Sequence, residues 1–221
     1  MIWGFTALGN LWEKKLNFCS VKIIAEANLI IGTPKDQSFF KAIYCFLKAR
    51  QTAFKLLFTS IHNIEINEVN FNDFNFIENY KNEWASDEIF LDYKSKSVHS
   101  RVFDSPFIRY RLIEFKKAEN LISHIIFHIT NGVFVISEIF VKDMQELDFI
   151  FKKVFEFAKI KNVKIIRFWG NKNVLVYGEL FKIFTQFGGR VELVKDMQFV
   201  FKNFTDNSFD KSFNKFHINS L

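Results

Sequence analysis

Apolar and polar positions alternate most regularly between residues 122 and 130. Ile125, Phe127 and Ile129 fall on one side, and His124, Ile126, His128 and Thr130 on the other, which is the two-residue period of a strand. Asn131-Gly132 follows, the preferred dipeptide of a tight type I′ turn, and residues 133–141 are almost wholly apolar, broken only by Ser137 and Glu138. This pattern predicts a β-hairpin whose second strand is central in a sheet. The period then changes to three and four. Leu147, Ile150, Phe151, Val154, Phe155 and Ala158 predict a helix over Gln145–Lys161. A strand over Val163–Trp169, a helix over Val174–Phe187 and a strand segment over Arg190–Phe201 complete a β-β-α-β-α-β order. That order requires a mixed sheet with parallel pairing across the helical crossovers.

Upstream, Thr6–Leu16 reads as a short helix with Leu8, Leu11, Trp12 and Leu16 on one side. Residues 20–31 read as one strand or a pair, stopped by Gly32-Thr33-Pro34. Asp36 caps a long helix to Thr59 that is rich in Phe39, Phe40, Ile43, Phe46 and Leu47. The Asn-rich residues 60–82 are weakly patterned and in part loop, with short elements expected over Asp73–Trp84 (helix) and Ile89–Tyr93 (strand). Asp104-Ser105-Pro106 has the form of a helix start and predicts a short helix through Arg111. Residues 203–221 are polar and read as a flexible tail.

The chain also echoes itself. Leu11–Phe18 lies over Leu180–Phe187, and a β segment follows in both places: Val21…Ile31 against Val191…Phe201. The expected organisation is therefore a closing remnant of a first unit (1–34), a helical, Asn-rich connection (35–87), a complete unit (88–202) and the tail (203–221). On this reading the chain is an N-terminally truncated relative of a two-copy protein.

Composition changes little of this. Of 221 residues, 31 are Phe, while Gly occurs eight times and Pro twice, which excludes collagen-like and low-complexity classes. An A/T-rich coding sequence accounts for a surplus of Phe, Ile, Asn and Lys together. Net charge is +6 and is uneven: residues 1–110 hold 13 basic and 12 acidic groups, residues 111–221 hold 17 and 12. A basic half suits an anion, but no lysine run exceeds two, so a solvated surface is the simpler reading and nucleic-acid binding a third choice. Cys19 and Cys45 form neither a disulfide framework nor a metal site. No secretory signal pattern and no membrane span is visible. The uncharged Asn120–Ser137 stretch alternates and contains two histidines, so a cytoplasmic location is expected.

Three segments resemble a known family. Gly4-Phe5-Thr6 through Leu16-Asn17-Phe18, then Arg101…Asp104…Phe107-Ile108-Arg109-Tyr110-Arg111, and Val135-Ile136-Ser137-Glu138-Ile139-Phe140 look like segments of tandem bacterial GNAT-like acyltransferases associated with cell-surface polysaccharide biosynthesis. The resemblance implies a GNAT-like α/β fold and acyl transfer from acetyl-CoA or another acyl-CoA to an amine or amino sugar. Glu138 then becomes a candidate general base that deprotonates the amine. Trp169, Asn171 and Asn173, at the end of a strand beside the cofactor cleft, become candidate cofactor contacts. Arg109, Arg111 and His128 become candidate substrate contacts, the two arginines by the fork geometry that suits carboxylate or phosphate. Ordinary readings stand beside these: a satisfied buried carboxylate, surface ion pairs, and half-exposed sheet histidines. His124 and His128 are about 13 Å apart along the strand and cannot share a metal ion.

The departures from the family weigh equally. Its Gly-containing pyrophosphate loop is replaced by Lys142-Asp143-Met144-Gln145-Glu146, with no glycine and two carboxylates. The tyrosine often used as general acid is Lys182 by position, and Glu13 in the echo. A degenerate, non-catalytic interaction module, with a homodimer as one form it can take, is therefore the alternative.

Overall fold

The computed structural model describes residues 2–6, 19–21, 24–34, 37–57, 63–69, 106, 108–194 and 198–202. Strands β1 (Ile2–Thr6), β2 (Cys19–Val21) and β3 (Ile24–Ile30) precede helix α1 (Phe39–Leu57) and β4 (Ile64–Val69). Then come β5 (Arg111–Lys117), β6 (Asn120–Thr130), β7 (Val133–Val141), a 3-10 turn (Met144–Glu146) and α2 (Leu147–Ile160). Strand β8 (Ile165–Asn171), α3 (Leu175–Gln186), β9 (Arg190–Leu193) and β10 (Gln198–Lys202) end the chain's described part.

The β6–β7 hairpin forms where the alternation places it. Asn131 and Gly132 have φ of 49° and 74°, both left-handed as a type I′ turn requires. Strand β7 is buried from Phe134 to Val141 and pairs β6 antiparallel and β8 parallel, so it is central. All six apolar positions that predicted α2 are buried. They face a shared core in which Phe151 meets Phe184 of α3 at 4.9 Å and Phe127 stacks on Phe134 at 4.5 Å. Helices α2 and α3 therefore cover the same face of the sheet. Helix α3 ends in a Schellman turn: Gly188 (φ 85°) donates to the Thr185 carbonyl, and Gly189 donates to that of Phe184. A Cβ at Gly189 would stand 2.8 Å from the Phe184 carbonyl oxygen and 3.0 Å from that of Asn28, so glycine lets the helix end against β3.

The seven-stranded sheet has the order β4-β5-β6-β7-β8-β3-β9. Strand β3 runs antiparallel to both β8 and β9 and separates them, although they follow one another in sequence. A three-stranded sheet, β1-β10-β2, repeats the arrangement, with β10 antiparallel to both neighbours. Each of the two echoing segments thus inserts its closing strand between two strands of the other.

Several sequence expectations are corrected. The strand expected over Val163–Trp169 is two residues later, because Val163 is held in the preceding turn by its N–H on the Ala158 carbonyl. The segment Arg190–Phe201 is two strands in two sheets. Arg111 opens a strand and does not close a helix, and residues 108–110 are irregular. Within the Asn-rich stretch, residues 64–69 form the edge strand β4. Thr6 ends β1 and does not start a helix. The remainder of the expected Thr6–Leu16 helix, the elements over 73–84 and 89–93, residues Asp104 and Ser105, and the 203–221 tail lie outside the described residues. Many of the helix-spaced aromatics of α1 face outward, Phe39 and Phe40 among them.

His124 and His128 are buried, at 0% and 7% exposure, not half-exposed. Opposed residues share a sheet face, and His124 lies opposite Glu114, whose carboxylate is 3.1 Å from its Nε2. Burial outweighs that partner and lowers the His124 pKa from 6.5 to about 4. His128 is lowered by burial as well.

Two predictions follow from this packing. Below pH 6.5 the unfolded chain takes up a proton that native His124 refuses until about pH 4. Stability is thus at its full value above pH 6.5 and falls as pH drops toward 4, by up to about 3 kcal/mol from this group. Urea unfolding of the wild type and of His124→Gln across this range should show a shallower pH slope for the variant; parallel slopes contradict the assignment. The second prediction concerns the β5–β6 connection, where Ala118 and Glu119 adopt φ of 48° and 65°. Left-handed backbone costs such residues about 1 kcal/mol each. Replacing the pair by Asn-Gly should raise the unfolding free energy by about 1 kcal/mol, read as a higher urea midpoint at unchanged slope.

Candidate functional site

The two halves of the seven-stranded sheet meet at β7 and β8 through the register pairs Val133–Ile165, Phe134–Ile166, Val135–Arg167 and Ile136–Phe168. Beyond Ile136 the strands part. Strand β7 continues on β6 to Val141, and β8 continues on β3 to Asn171. The parting coincides with a bulge in β7: Phe127 faces Ile136 and Ile126 faces Glu138, leaving Ser137 without an opposite residue. An extra residue bends its strand, and here the bend carries β7 away from β8.

Glu138 sits immediately after the bulge and is 1% exposed. Its Oε1 accepts the N–H of Ile139 at 3.0 Å and the hydroxyl of Tyr177. Tyr177 is fully buried in the first turn of α3 and touches Phe168 edge-on at 5.1 Å. Residues from β7 and α3 therefore converge where the strands separate. Chemically the pair offers a proton acceptor and a hydroxyl that can relay a proton to it.

The other sequence candidates fall at different places. Asn171, at the end of β8, is buried, and its Oδ1 accepts the Asn173 N–H at 3.0 Å. That turn starts α3, so Asn171 helps set where Tyr177 stands, whereas Asn173 itself is exposed. Trp169 is half-buried and points, like Arg167, away from the face covered by α2 and α3. Arg167 joins Glu26 and Asn28 of β3 in a polar group on that face, at 3.2 and 2.9 Å.

His128 Nδ1 is 3.2 Å from Ser137 Oγ, the bulged residue, and the ring packs edge-on against Tyr110 at 5.3 Å. Arg111 is on the opposite face. It forks onto Glu68 with two contacts of 2.5 Å and lies over the Phe127 ring at 5.2 Å. The structure therefore separates Arg111 from His128 and gives the arginine an ordinary ion pair. Arg109 is exposed. The sheet brings together His128, Ser137, Glu138 and Tyr177, and leaves the two arginines outside.

Tyr177 is the residue that sequence reasoning missed. Lys182, where the family pattern places a tyrosine, is an exposed partner of Glu179 at 2.6 Å. A usable signal existed. Tyr177 lies on the apolar stripe of its helix with Leu180, Phe181 and Phe184, and a buried tyrosine needs a hydroxyl partner. Glu138, in an apolar strand, needs a donor.

The acyl-CoA group implied by the family resemblance meets a poor fit. Asp143 caps the 3-10 turn, its Oδ1 accepting the Gln145 N–H at 2.9 Å. Glu146 is tied to Lys117 at 2.5 Å. The backbone N–H group that could face a phosphate there is bound by a carboxylate, and a second carboxylate stands close by. Among the described residues, no His, Cys, Asp and Glu side chains gather in a group able to hold a metal ion.

No protein-family model matches the chain, and no curated protein matches it. Solved structures do. An Enterococcus faecalis V583 protein described as a probable N-acyltransferase is 11% identical, with a TM-score of 0.52, covering 89% of this chain and 44% of its own. A functionally unknown conserved protein from Staphylococcus epidermidis is 10% identical over 86% of this chain and 64% of its own, at 0.49. Saccharomyces cerevisiae N-myristoyltransferase is 11% identical over 83% of this chain and 51% of its own, at 0.40. The chain thus spans less than two thirds of these proteins, and only the first likeness is close enough to weigh. It shows the fold alone: a mixed α/β sheet of GNAT-like topology.

Proposed function

We propose that this protein belongs to the GNAT-like acyltransferases and acts in acyl transfer to an amine, with an amino sugar of cell-surface polysaccharide as the acceptor. The observation that carries the reading is the Glu138–Tyr177 pair at the parting of β7 and β8. An amine attacking an acyl carbon must lose a proton, and a carboxylate shielded from water with a hydroxyl on it can take that proton. His128 and Ser137 flank the same point on the side away from the helices. Asn171 supports it indirectly through the turn that starts α3. Glu138 and Tyr177 are both buried, so the acceptor must enter between the two strands to reach them.

The Asp143–Glu146 turn is ill-suited to a pyrophosphate, so no part of this reading depends on a phosphate grip there. The same turn supports a second reading, a GNAT-fold interaction module without catalysis.

Two measurements separate the readings. Calorimetric titration with acetyl-CoA, and release of free thiol in the presence of an amino sugar, should both give signal if acyl transfer is the activity. Glu138→Gln should then lower turnover by about a hundredfold or more, and Tyr177→Phe by less, with melting temperatures close to wild type. No heat and no thiol release favour the interaction module. Full turnover by Glu138→Gln removes Glu138 as the base.

A further inference from the structure

Helix α1 has two unlike sides. Its inner side is fixed to the sheet: Cys45, Thr52 and Leu56 are buried, and the Thr52 hydroxyl is shared among the carbonyls of Lys48, Ile30 and Phe187. Lys55 reaches the Gln186 carbonyl at 2.6 Å. The outer side is apolar and exposed. Phe39 (73%), Phe40 (83%), Phe46 (51%), Leu47 (60%) and Leu57 (77%), with Ile43 among them, fall within an arc of roughly 120° on the helix. Aromatic side chains of this size are rarely presented to water along a whole helix.

The charge on the helix indicates what covers that side. Residues 39–57 contain Lys41, Lys48, Arg50 and Lys55 and no acidic residue. The three lysines recur at every seventh position, in a row between the apolar arc and the inner side, and Arg50 lies within the arc, its guanidinium 5.6 Å from the Phe46 ring. Two copies packed through this arc would bury both Arg50 guanidinium groups in the contact, with no carboxylate on the helix to pair with them. An anionic lipid surface satisfies both features: acyl chains accept the aromatic side chains, while Lys41, Lys48 and Arg50 extend to the headgroups. None of the described helices is long and apolar enough to cross a membrane, so the geometry is one of lying on the surface.

We propose that α1 is a docking surface for an anionic lipid bilayer. Helix α1 packs at the C-terminal end of α3, beside Gln186 and Phe187, while Tyr177 is in the first turn of α3, about 14 Å away along the helix. Docking through α1 anchors the protein and leaves the β7–β8 parting uncovered. The proposal is independent of the acyl-transfer reading.

The test is co-sedimentation of the full chain with vesicles of phosphatidylcholine alone and of phosphatidylcholine mixed with phosphatidylglycerol. Binding is expected to the mixed vesicles only and to weaken in high salt. Phe40→Glu/Leu47→Glu and Lys41→Glu/Arg50→Glu alter exposed side chains, and each should reduce binding by about tenfold or more. Circular dichroism melts establish that both variants are folded. Absence of binding to mixed vesicles overturns the proposal, as does equal binding to neutral vesicles or undiminished binding by the Phe40/Leu47 variant. A stable dimer by light scattering that the Phe40/Leu47 variant dissolves also overturns it, in favour of a second copy on this face.

Discussion

Parallel backbone pairing between Val133–Ile136 and Ile165–Phe168 joins the antiparallel half of the sheet, β4 to β7, to the half built from β8, β3 and β9. Everything at the candidate site depends on how that junction ends. The apolar layer from α2 and α3 holds the paired part closed, through Phe134 and Phe168 on the strands and Phe151, Phe181 and Phe184 on the helices. The bulge at Ser137 then releases β7, and the released backbone must find other partners. Glu138 provides one by accepting the Ile139 N–H with its own carboxylate. The same oxygen takes the Tyr177 hydroxyl, so a geometric need of the strand and a chemical opportunity fall on one atom.

Legibility followed the strength of local signals. The β6–β7 hairpin was fully readable, because Asn-Gly supplies left-handed backbone at low cost and the alternation on both sides is clean. The β5–β6 hairpin was not, because its turn uses Ala118 and Glu119, residues that carry no turn signal and are held in place by the strands. Helices α2 and α3 were readable from apolar spacing, and α1 was readable as a helix although its outer face is exposed. Pairing between distant segments left no local trace: nothing in Ile24–Ile30 indicates that it lies between β8 and β9. At the site, Glu138 stood out as a charge in an apolar strand. Tyr177 was hidden because its spacing is that of an ordinary core aromatic.

The site and the loop after β7 point in different chemical directions. Where the strands part, the chain concentrates buried groups able to exchange protons: His128 beside Ser137, and Glu138 beside Tyr177. A few residues later, at the loop that the family resemblance aligns with a phosphate-binding loop, it places Asp143 on a backbone N–H and Glu146 on Lys117. Each of these carboxylates already has a partner, so displacing either by a phosphate would cost a contact and add like-charge repulsion.

The exchange of closing strands has a consequence for how the chain reaches its native state. Among the described residues, β3 pairs with β8 and β9, and β10 with β1 and β2. Roughly 160 residues separate β3 from β9, which at ordinary ribosomal rates means a delay of about ten to thirty seconds before its partners emerge. During that interval β3, whose Ile24, Ala25, Ala27 and Leu29 are buried in the finished sheet, has neither of its flanking strands and only α1 to pack against. Contacts this distant are slow to form. The nascent chain would therefore need assistance, or a rapid closure of β5 to β7, to keep the open edges of β3 from pairing with a neighbouring molecule.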